Sequence, residues 1–306
     1  MANVLCVLAS PRSRGYTAAL IDSVVEGIKN VGDVGFEVAQ INRYLPISPC
    51  ISCWNCIRNT EHRCTLDDSM GKRGEGELFQ KIERANALVI AQPVYFWGVP
   101  AITHLFLERF YPFIFTNELG GMPFASISQA GNQGMARLAN TRMTRWAFNL
   151  KLRYVGGLPV HMVYFDEAKI RARYLGEKIA NAAKLDAEGR EKISDLDNFL
   201  GAQNNPWVVL EPYIENLTNG TYAYEDSLIE YSLSHGTVKK DDAVELLRKA
   251  GEELKLTLQS YRLKDRLEAT KHLVKSSAFW THATYKEFFE DILKVQQPEA
   301  YRPIDE

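Results

Sequence analysis

The sequence lacks the features that mark membrane proteins and nucleic-acid-binding proteins. Its longest strongly apolar stretches, residues 4–9 and 87–91, are far shorter than the roughly 20 residues that a membrane-spanning helix needs. It has no long basic run, and 36 lysines and arginines against 38 aspartates and glutamates give a net charge of -2. Binding to nucleic acid needs clustered positive charge. We therefore expect no membrane and no nucleic acid as a partner, no signal peptide, and a cytoplasmic location.

Several common site motifs are also missing. No GxxxxGK[ST] or GxGxxG sequence occurs, which disfavours ATP, GTP and Rossmann-type NAD sites. The six histidines show no HExxH spacing, and no GxSxG elbow is present, so nothing indicates a hydrolase. Cysteine is scarce, with five in 306 residues, yet four of the five fall between positions 50 and 64. That crowding differs from the spread of a disulfide framework.

The alternation of apolar runs with amphipathic stretches predicts an α/β fold. Short β-rich runs predict five strands, at residues 3–9, 34–41, 87–92, 122–128 and 158–165. Amphipathic or capped stretches predict the intervening helices, at residues 17–29, 75–85, 100–115, 135–152 and 167–185. Strands that are each followed by a helix form a doubly wound parallel sheet.

The pattern changes near residue 194. Residues 194–236 are rich in Asn, Pro and Tyr with little periodicity, whereas 241–263 and 285–295 read as helices. We expect a sheet domain at 1–193 and a mostly helical extension at 194–306. The extension would act as a lid over a ligand or as an oligomer contact. The aromatic residues that could close such a lid are Trp207, Tyr222, Tyr224 and Trp280, although ordinary packing explains them at least as well.

The loop after the first strand has the composition of a phosphate site. Its hydroxyl, guanidinium and glycine groups are Ser10, Arg12, Ser13, Gly15 and Thr17. Hydroxyls and a guanidinium donate to phosphate oxygens, and a helix N-terminus offers free N–H groups and a partial positive charge. The alternative is an N-capped first helix with a solvated arginine.

Two further loops follow the third and fourth strands. Residues 93–98 place three aromatic side chains beside a glycine, and 126–134 are small, polar and glycine-rich. A flat, amphipathic ring would fit between such loops, although three consecutive aromatics also suit a core or an oligomer interface. The candidate ring contacts are Pro93, Val94, Tyr95, Phe96, Trp97, Gly98, Ser128, Gly131 and Asn132.

The cysteine spacing is Cys50-x2-Cys53-x2-Cys56-x7-Cys64, in a loop at residues 46–70 after the second strand. Three thiols at a spacing of three favour a [4Fe-4S] cluster, because zinc sites more often use two x2 pairs that are 12 or more residues apart. Zinc, disulfides or thiols without metal remain alternatives. Asp67 and Asp68, which follow the motif, would cap the next helix.

These motifs together resemble the NADPH-dependent FMN reductase family of flavodoxin-like proteins. The resemblance rests on residues 10–12, 15–17 and 93–98 and on Arg109, and it covers roughly residues 1–190. It implies the strand order 2-1-3-4-5, an FMN phosphate in the first loop, and an isoalloxazine ring lined by the second and third loops. Tyr16 stands where the family usually has Asn, which leaves its backbone N–H for the phosphate.

The cysteine motif resembles that of the iron-sulfur flavoproteins, a branch of the same family, with Ser52 in place of the usual Gly. The resemblance implies an FMN-dependent oxidoreductase with a [4Fe-4S] cluster at Cys50, Cys53, Cys56 and Cys64. The donor would be a ferredoxin or NAD(P)H, and the acceptor a small molecule, a flavin or a quinone. Family members form dimers or tetramers, so we expect a homo-oligomer.

Two candidate orienting residues and two other functions complete the expectations. Tyr95 and Arg109 are candidates for orienting the ring or the substrate. One alternative function is an NAD(P)H-dependent FMN or quinone reductase without a cluster. The other is a flavin-binding module that acts as an electron carrier or sensor.

Overall fold

One five-stranded parallel sheet organises the N-terminal part of the chain. The computed structural model describes residues 1–131, 134–203 and 210–291, and the chain divides into two compact units, Met1–Ile193 and Ser194–Glu306. In the first unit the strands are β1 (Ala2–Leu8), β2 (Val34–Gln40), β3 (Ala87–Pro93), β4 (Pro123–Ala130) and β5 (Arg153–His161). Their order in the sheet is β2-β1-β3-β4-β5, with every pair parallel. The predicted doubly wound, flavodoxin-like sheet is confirmed.

Helices cover both faces of this sheet. They are α1 (Tyr16–Val31), α2 (Asn55–Arg58), α3 (Glu77–Arg84), α4 (Ala101–Glu108), α5 (Tyr111–Thr116), α6 (Ala136–Asn149) and α7 (Phe165–Glu188). One apolar core lies between the sheet and α1 with α7, and the other contains buried residues of α3 to α6. The helices α1 and α7 pack closely against each other at Gly27, where a Cβ would lie only 1.9 Å from the Arg173 carbonyl oxygen. As expected for a central strand, β3 is buried at every position.

The helix predicted at residues 100–115 is two helices, α4 and α5. The break falls at Arg109 and Phe110, and Pro112 lies in the first turn of α5. Proline has no N–H to continue the helical ladder, and its ring clashes with the carbonyl four residues earlier, so an unbroken helix through this position is disfavoured. The break turns the backbone at Arg109, which lies at the end of α4.

The fifth strand begins earlier than the sequence predicts. We expected it at residues 158–165, but β5 starts at Arg153, and Phe165 already begins α7. Gly156 and Gly157 lie inside β5, where glycine usually weakens a strand, and they concealed its start. A Cβ at Gly156 would lie 2.9 Å from Leu175 Cδ1, so close packing of α7 on the strand explains this glycine.

The second unit is helical in its described residues. Its helices are α8 (Asp195–Gln203), α9 (Glu211–Leu217), α10 (Leu228–Ser234), α11 (Asp241–Arg262) and α12 (Arg266–Thr284), followed by a π-helical turn, Tyr285–Phe289. The predicted helix at 241–263 is confirmed, whereas α12 was not predicted. Its buried positions include Ala269, Thr270 and Ser276, small or polar residues that give no clear apolar stripe. Trp207 and residues 292–295 of the predicted last helix lie outside the described residues.

None of the helices in the described ranges combines the length and the apolar composition that crossing a membrane requires.

Candidate functional site

A cavity of about 210 Å³ lies at the carboxyl edge of the sheet, where β1, β3 and β4 end. Its lining comes from three loops and from the residue after β5. The lining residues are Ser10, Arg12, Arg14, Gly15, Tyr16, Thr17, Ala18, Pro93, Val94, Tyr95, Gln129, Gly131 and Met162. In an open parallel sheet, ligands bind at this edge.

The first loop ends in a glycine that its backbone conformation requires. Gly15 has a φ of 145° immediately before α1, and no atom lies within 4 Å of the position of a Cβ there. Glycine is therefore required at this position by its backbone conformation and not by a lack of room for a side chain. No side chain caps α1, and the first-turn N–H groups of such a helix suit an anion. Arg12 and Arg14, both exposed, add positive charge to the same wall of the cavity.

The second loop is a tight turn. Tyr95 and Gly98 exchange backbone hydrogen bonds of 3.0 Å in both directions. The two residues between them have positive φ, 46° at Phe96 and 61° at Trp97. Phe96 is fully exposed and Trp97 is 60% exposed, so of the three aromatics only Tyr95 lines the cavity. The turn therefore presents two large apolar side chains to its surroundings in a backbone conformation that costs energy.

The second loop is joined through the backbone to the end of β4, since the Val94 N–H donates to the Gln129 carbonyl at 2.8 Å. The first five residues of the predicted third loop, 126–130, belong to β4, so the loop itself starts at Gly131. Gln129 and Gly131 line the cavity, but Ser128 is buried beneath it. The Ser128 hydroxyl donates to Asn140 Oδ1 at 3.3 Å and accepts from Gln92 Nε2 at 3.3 Å. Ser128 is therefore part of the support of the loop rather than of its surface.

The structure brings together most of the predicted cofactor residues. Those that do not line the cavity are Ser13, Phe96, Trp97, Gly98 and Ser128, and Asn132 lies outside the described residues. The lining residues that the sequence reasoning missed are Arg14, Ala18, Gln129 and Met162. Arg14 and Gln129 lie inside loops already singled out. Met162 was hidden because the fifth strand was predicted to run through it.

The cysteine loop holds four free thiols in the first unit. Cys50 is exposed, while Cys53, Cys56 and Cys64 are partly buried. Positive φ at Ser52 turns the chain within the first x2 spacer. The short helix α2 contains Cys56, and it contacts α5.

The electrostatics of Cys56 show that the four thiols share one neighbourhood. Burial raises the pKa of Cys56 to about 12, and Cys64, Cys50 and Cys53 each contribute to the increase, in that order. The fifth cysteine, Cys6, differs, since burial alone raises its pKa to about 12 in the core. Within the described residues, no group of three or more His, Cys, Asp or Glu side chains is placed to hold a single metal ion.

Arg109 lies at the base of the cysteine loop. Its side chain is 1% exposed, and its Nη1 donates to Asp68 Oδ2 at 2.5 Å and to the Ser48 carbonyl at 2.8 Å. Its Nη2 donates to Cys64 Sγ at 3.1 Å. The expectation that Arg109 orients the ring or the substrate is wrong, because the turn after α4 directs the side chain to the cysteines.

Asp68 is likewise not a helix cap. Its oxygens accept from the Ser48 and Met70 N–H groups and from Arg109, and the next helix, α3, starts only at Glu77. Burial by itself raises the pKa of Asp68, but hydrogen bonds from Arg109 and the Ser48 amide outweigh it, so the pKa lies below its usual value. The carboxylate and the guanidinium thus form a buried, charged pair. Asp67 is exposed and lies 3.5 Å from Lys72.

The profile of the NADPH-dependent FMN reductase family matches residues 2–165, more than half of the chain. The chain belongs to this family. Family membership makes it a flavin-dependent oxidoreductase with FMN as its cofactor, which agrees with the resemblance of the loop motifs.

Relatives in this family carry the name of the branch that the cysteine motif indicated. An iron-sulfur flavoprotein of Archaeoglobus fulgidus is 28% identical over 202 residues, which cover 64% of this chain and 86% of the relative. An iron-sulfur flavoprotein of Methanocaldococcus jannaschii is 28% identical over 135 residues, which cover 42% of this chain and 65% of the relative. The solved structure of a flavone reductase is similar, with 17% sequence identity and a TM-score of 0.47. The matched region covers 63% of this chain and 66% of the flavone reductase chain.

Proposed function

We propose that this member of the FMN reductase family carries a [4Fe-4S] cluster as well as FMN. Cys50, Cys53, Cys56 and Cys64 would bind the cluster. In this proposal the protein moves electrons between a ferredoxin or NAD(P)H and a small-molecule, flavin or quinone acceptor. The supporting observation is that the four free thiols Cys50, Cys53, Cys56 and Cys64 lie in one loop of the same folded unit as the cavity at the strand ends.

The cavity residues suit FMN in a defined orientation. Arg12, Arg14 and the first turn of α1 suit the phosphate, because they combine positive charge with N–H donors. Tyr95 and the backbone at Gly131 suit the flat ring. When bound, FMN would exchange one or two electrons and a four-iron cluster one at a time, which lets the protein join hydride chemistry to single-electron chemistry. The protein residues would hold the groups and exclude competing reactions.

The donor set of the cysteine loop fits an iron-sulfur cluster in kind and number. Four thiolates are the usual ligands of a [4Fe-4S] cluster. The thiolates of one zinc ion surround a single atom, whereas those of a four-iron cluster lie at the corners of a larger body. The loop supplies four free thiols, which match the number of ligands that the larger group needs.

The remaining parts of the proposal concern assembly and location. We place the protein in a homo-oligomer, either a dimer or a tetramer, since exposed Phe96 and Trp97 are large apolar side chains of a kind common at interfaces. The helical second unit would serve as a lid or as an oligomer contact. Four free cysteines suit a reducing, cytoplasmic setting.

The test is anaerobic purification followed by an absorption spectrum and analysis of iron, sulfide, zinc and FMN. We expect about four irons and four sulfides per chain with one FMN, as a [4Fe-4S] cluster requires. Cys56→Ser should lose most of the iron and sulfide and keep FMN. Cys6→Ala is the matched control, because it removes the cysteine outside the loop and should keep all three.

A reductase without a cluster is the second candidate, supported by the family profile, which describes an NADPH-dependent FMN reductase and names no cluster. FMN without iron or sulfide in the wild-type protein would select it and reject the cluster. NAD(P)H oxidation with a quinone acceptor would then proceed unchanged in Cys56→Ser.

A further inference from the structure

We propose that Arg109, oriented by Asp68, is a positioning residue that fixes Cys64 as a cluster ligand and makes the cluster easier to reduce. This inference rests on the proposed function, because it needs the cluster to be present. It assigns a role to a buried ion pair that neither the FMN cavity nor the core requires.

The geometry around the guanidinium supports this role. Arg109 uses separate nitrogens for separate partners, with Nη1 on Asp68 and the Ser48 carbonyl and Nη2 on Cys64 Sγ. A guanidinium holds its donors in a rigid plane, so fixing one nitrogen aims the other. The position of the Cys64 sulfur is thus tied to the end of α4 through a side chain that is almost wholly buried.

The pair also connects the two sides of the loop. Asp68 accepts the Ser48 N–H at 2.9 Å, and Arg109 donates to the Ser48 carbonyl at 2.8 Å, so both charged groups bind one residue near Cys50. On the other side, the Arg73 N–H donates to the Cys64 carbonyl at 2.8 Å. The start of the loop, near Cys50, is therefore joined to its end, after Cys64, through the buried pair of Arg109 and Asp68.

Two properties of Arg109 would act on the cluster through Cys64. A hydrogen bond to a ligating sulfur and a nearby positive charge both stabilise the more negative, reduced form. Reduction adds one electron, drawn from reduced FMN or from the external donor, and no bond to Arg109 forms or breaks. Asp68 opposes the effect of the guanidinium, because its negative charge lies in the same buried pair.

A merely structural role makes a different prediction. If the pair only held the loop together, Arg109→Gln and Asp68→Asn would damage the site in the same way. If the pair acts on the cluster, removing the positive partner disfavours reduction and removing the negative partner favours it. The sign of the shift therefore separates the two explanations.

The experiment uses the anaerobically purified holoprotein and titrates the cluster with redox mediators, followed by electron paramagnetic resonance. We expect Arg109→Gln to make one-electron reduction about tenfold less favourable, which is about 59 mV. Asp68→Asn should shift it in the opposite direction. Arg109→Lys, which keeps the charge on a single donor group, should fall between wild type and Arg109→Gln. Iron, sulfide and FMN contents and the circular dichroism spectrum confirm that each variant is folded and loaded.

Arg63→Gln is the matched control. Arg63 is also in the loop and partly buried, but its guanidinium pairs with Glu83 and Glu118. Its replacement should change the reduction equilibrium less than twofold. If Arg109→Gln retains no iron, Arg109→Lys and Asp68→Asn decide by the sign of their shifts.

The outcomes separate this inference from the function on which it rests. Wild-type protein without iron and sulfide overturns both. A loaded wild-type protein whose Arg109 and Asp68 variants keep the wild-type potential, or shift it in the same direction, overturns the positioning role alone. Shifts of opposite sign, with FMN potentials unchanged, support it.

Discussion

The FMN cavity and the cysteine loop belong to the same unit but are built differently. The cavity is made of strand ends, a helix start and an exposed turn, so the sheet itself sets its geometry. The cysteine loop lies between β2 and α3, and apart from the short helix α2 and two 3-10 turns this segment has little regular structure. It depends on a buried ion pair and on close backbone contacts.

This difference predicts where each site is vulnerable. Exposed residues of the cavity can change without disturbing the sheet, so their loss should affect binding of FMN more than folding. In the cysteine loop, removing one partner of the buried ion pair leaves an unpaired charge, and adding a side chain at a closely packed glycine creates a steric clash. Either change should disturb the whole loop. Mutations in the cavity should therefore change the affinity for FMN, whereas mutations in the cysteine loop should change the iron content and the free energy of unfolding.

The largest effect is expected at Gly71. A Cβ there would lie 2.0 Å from the Leu66 carbonyl oxygen and 3.2 Å from Arg109 Nη2. Gly71→Ala must displace the backbone of the loop and the guanidinium together, at a cost of about 3 kcal/mol. We expect loss of most of the iron and a lower free energy of unfolding in urea, with FMN still bound.

Gly201→Ala is the control for Gly71→Ala. Gly201 lies in α8, and a Cβ there meets nothing within 4 Å. The exchange should stabilise the protein by about 0.5–1 kcal/mol, because alanine is the better helix former. Full iron content in Gly71→Ala would show that the loop is not the closely fitted structure described above.

A smaller effect is expected on the cavity side of the comparison. Arg12→Ala and Arg14→Ala each remove a positive charge from the wall proposed for the phosphate. We expect each to weaken FMN binding about tenfold in a fluorescence titration of the FMN-free protein. The iron content should stay at the wild-type level.

Arg43→Ala is the matched control for the two arginine variants. Arg43 is exposed and does not line the cavity, so its removal should leave FMN affinity unchanged. Equal losses of affinity in all three variants would indicate a general effect of net charge instead of a phosphate site.

The same division explains what the sequence could predict. The sheet order came from family resemblance, and the strands and loops came from period and composition, so Ser10, Arg12 and Tyr95 were found from local sequence. The role of Arg109 could not be read this way. It lies 45 residues beyond Cys64, and nothing local to α4 shows that the broken helix turns its side chain toward the cysteines.

Other misses have equally physical causes. Gly156 and Gly157 looked like a turn because the sequence does not show α7 packing on β5. Apart from Leu273 and Val274, the buried residues of helix α12 are small or polar, so the sequence shows no clear apolar stripe. Tertiary packing decided the structure in both cases.

The smallest effect is expected at the turn of the second loop. Phe96 and Trp97 both have positive φ, where Asn and Gly are favoured and bulky residues are strained. Phe96→Asn with Trp97→Gly should raise the free energy of unfolding in urea by about 1 kcal/mol, because the strain is relieved and only the smaller, buried part of the Trp97 surface is lost. Iron and FMN contents should not change.

The control for this double variant is Tyr164→Ala, which removes an exposed aromatic at an ordinary φ of -104° without adding a helix cap and should leave stability unchanged. Strain at exposed aromatic residues persists when those residues have a function. If they contact another subunit or the acceptor, the gain in stability comes with a loss of the oligomer in sedimentation or of turnover. A double variant less stable than the wild type, with assembly and turnover intact, would show that Phe96 and Trp97 stabilise the chain itself. The exposed turn would then resemble the cysteine loop, whose side chains hold structure, more than the rest of the cavity.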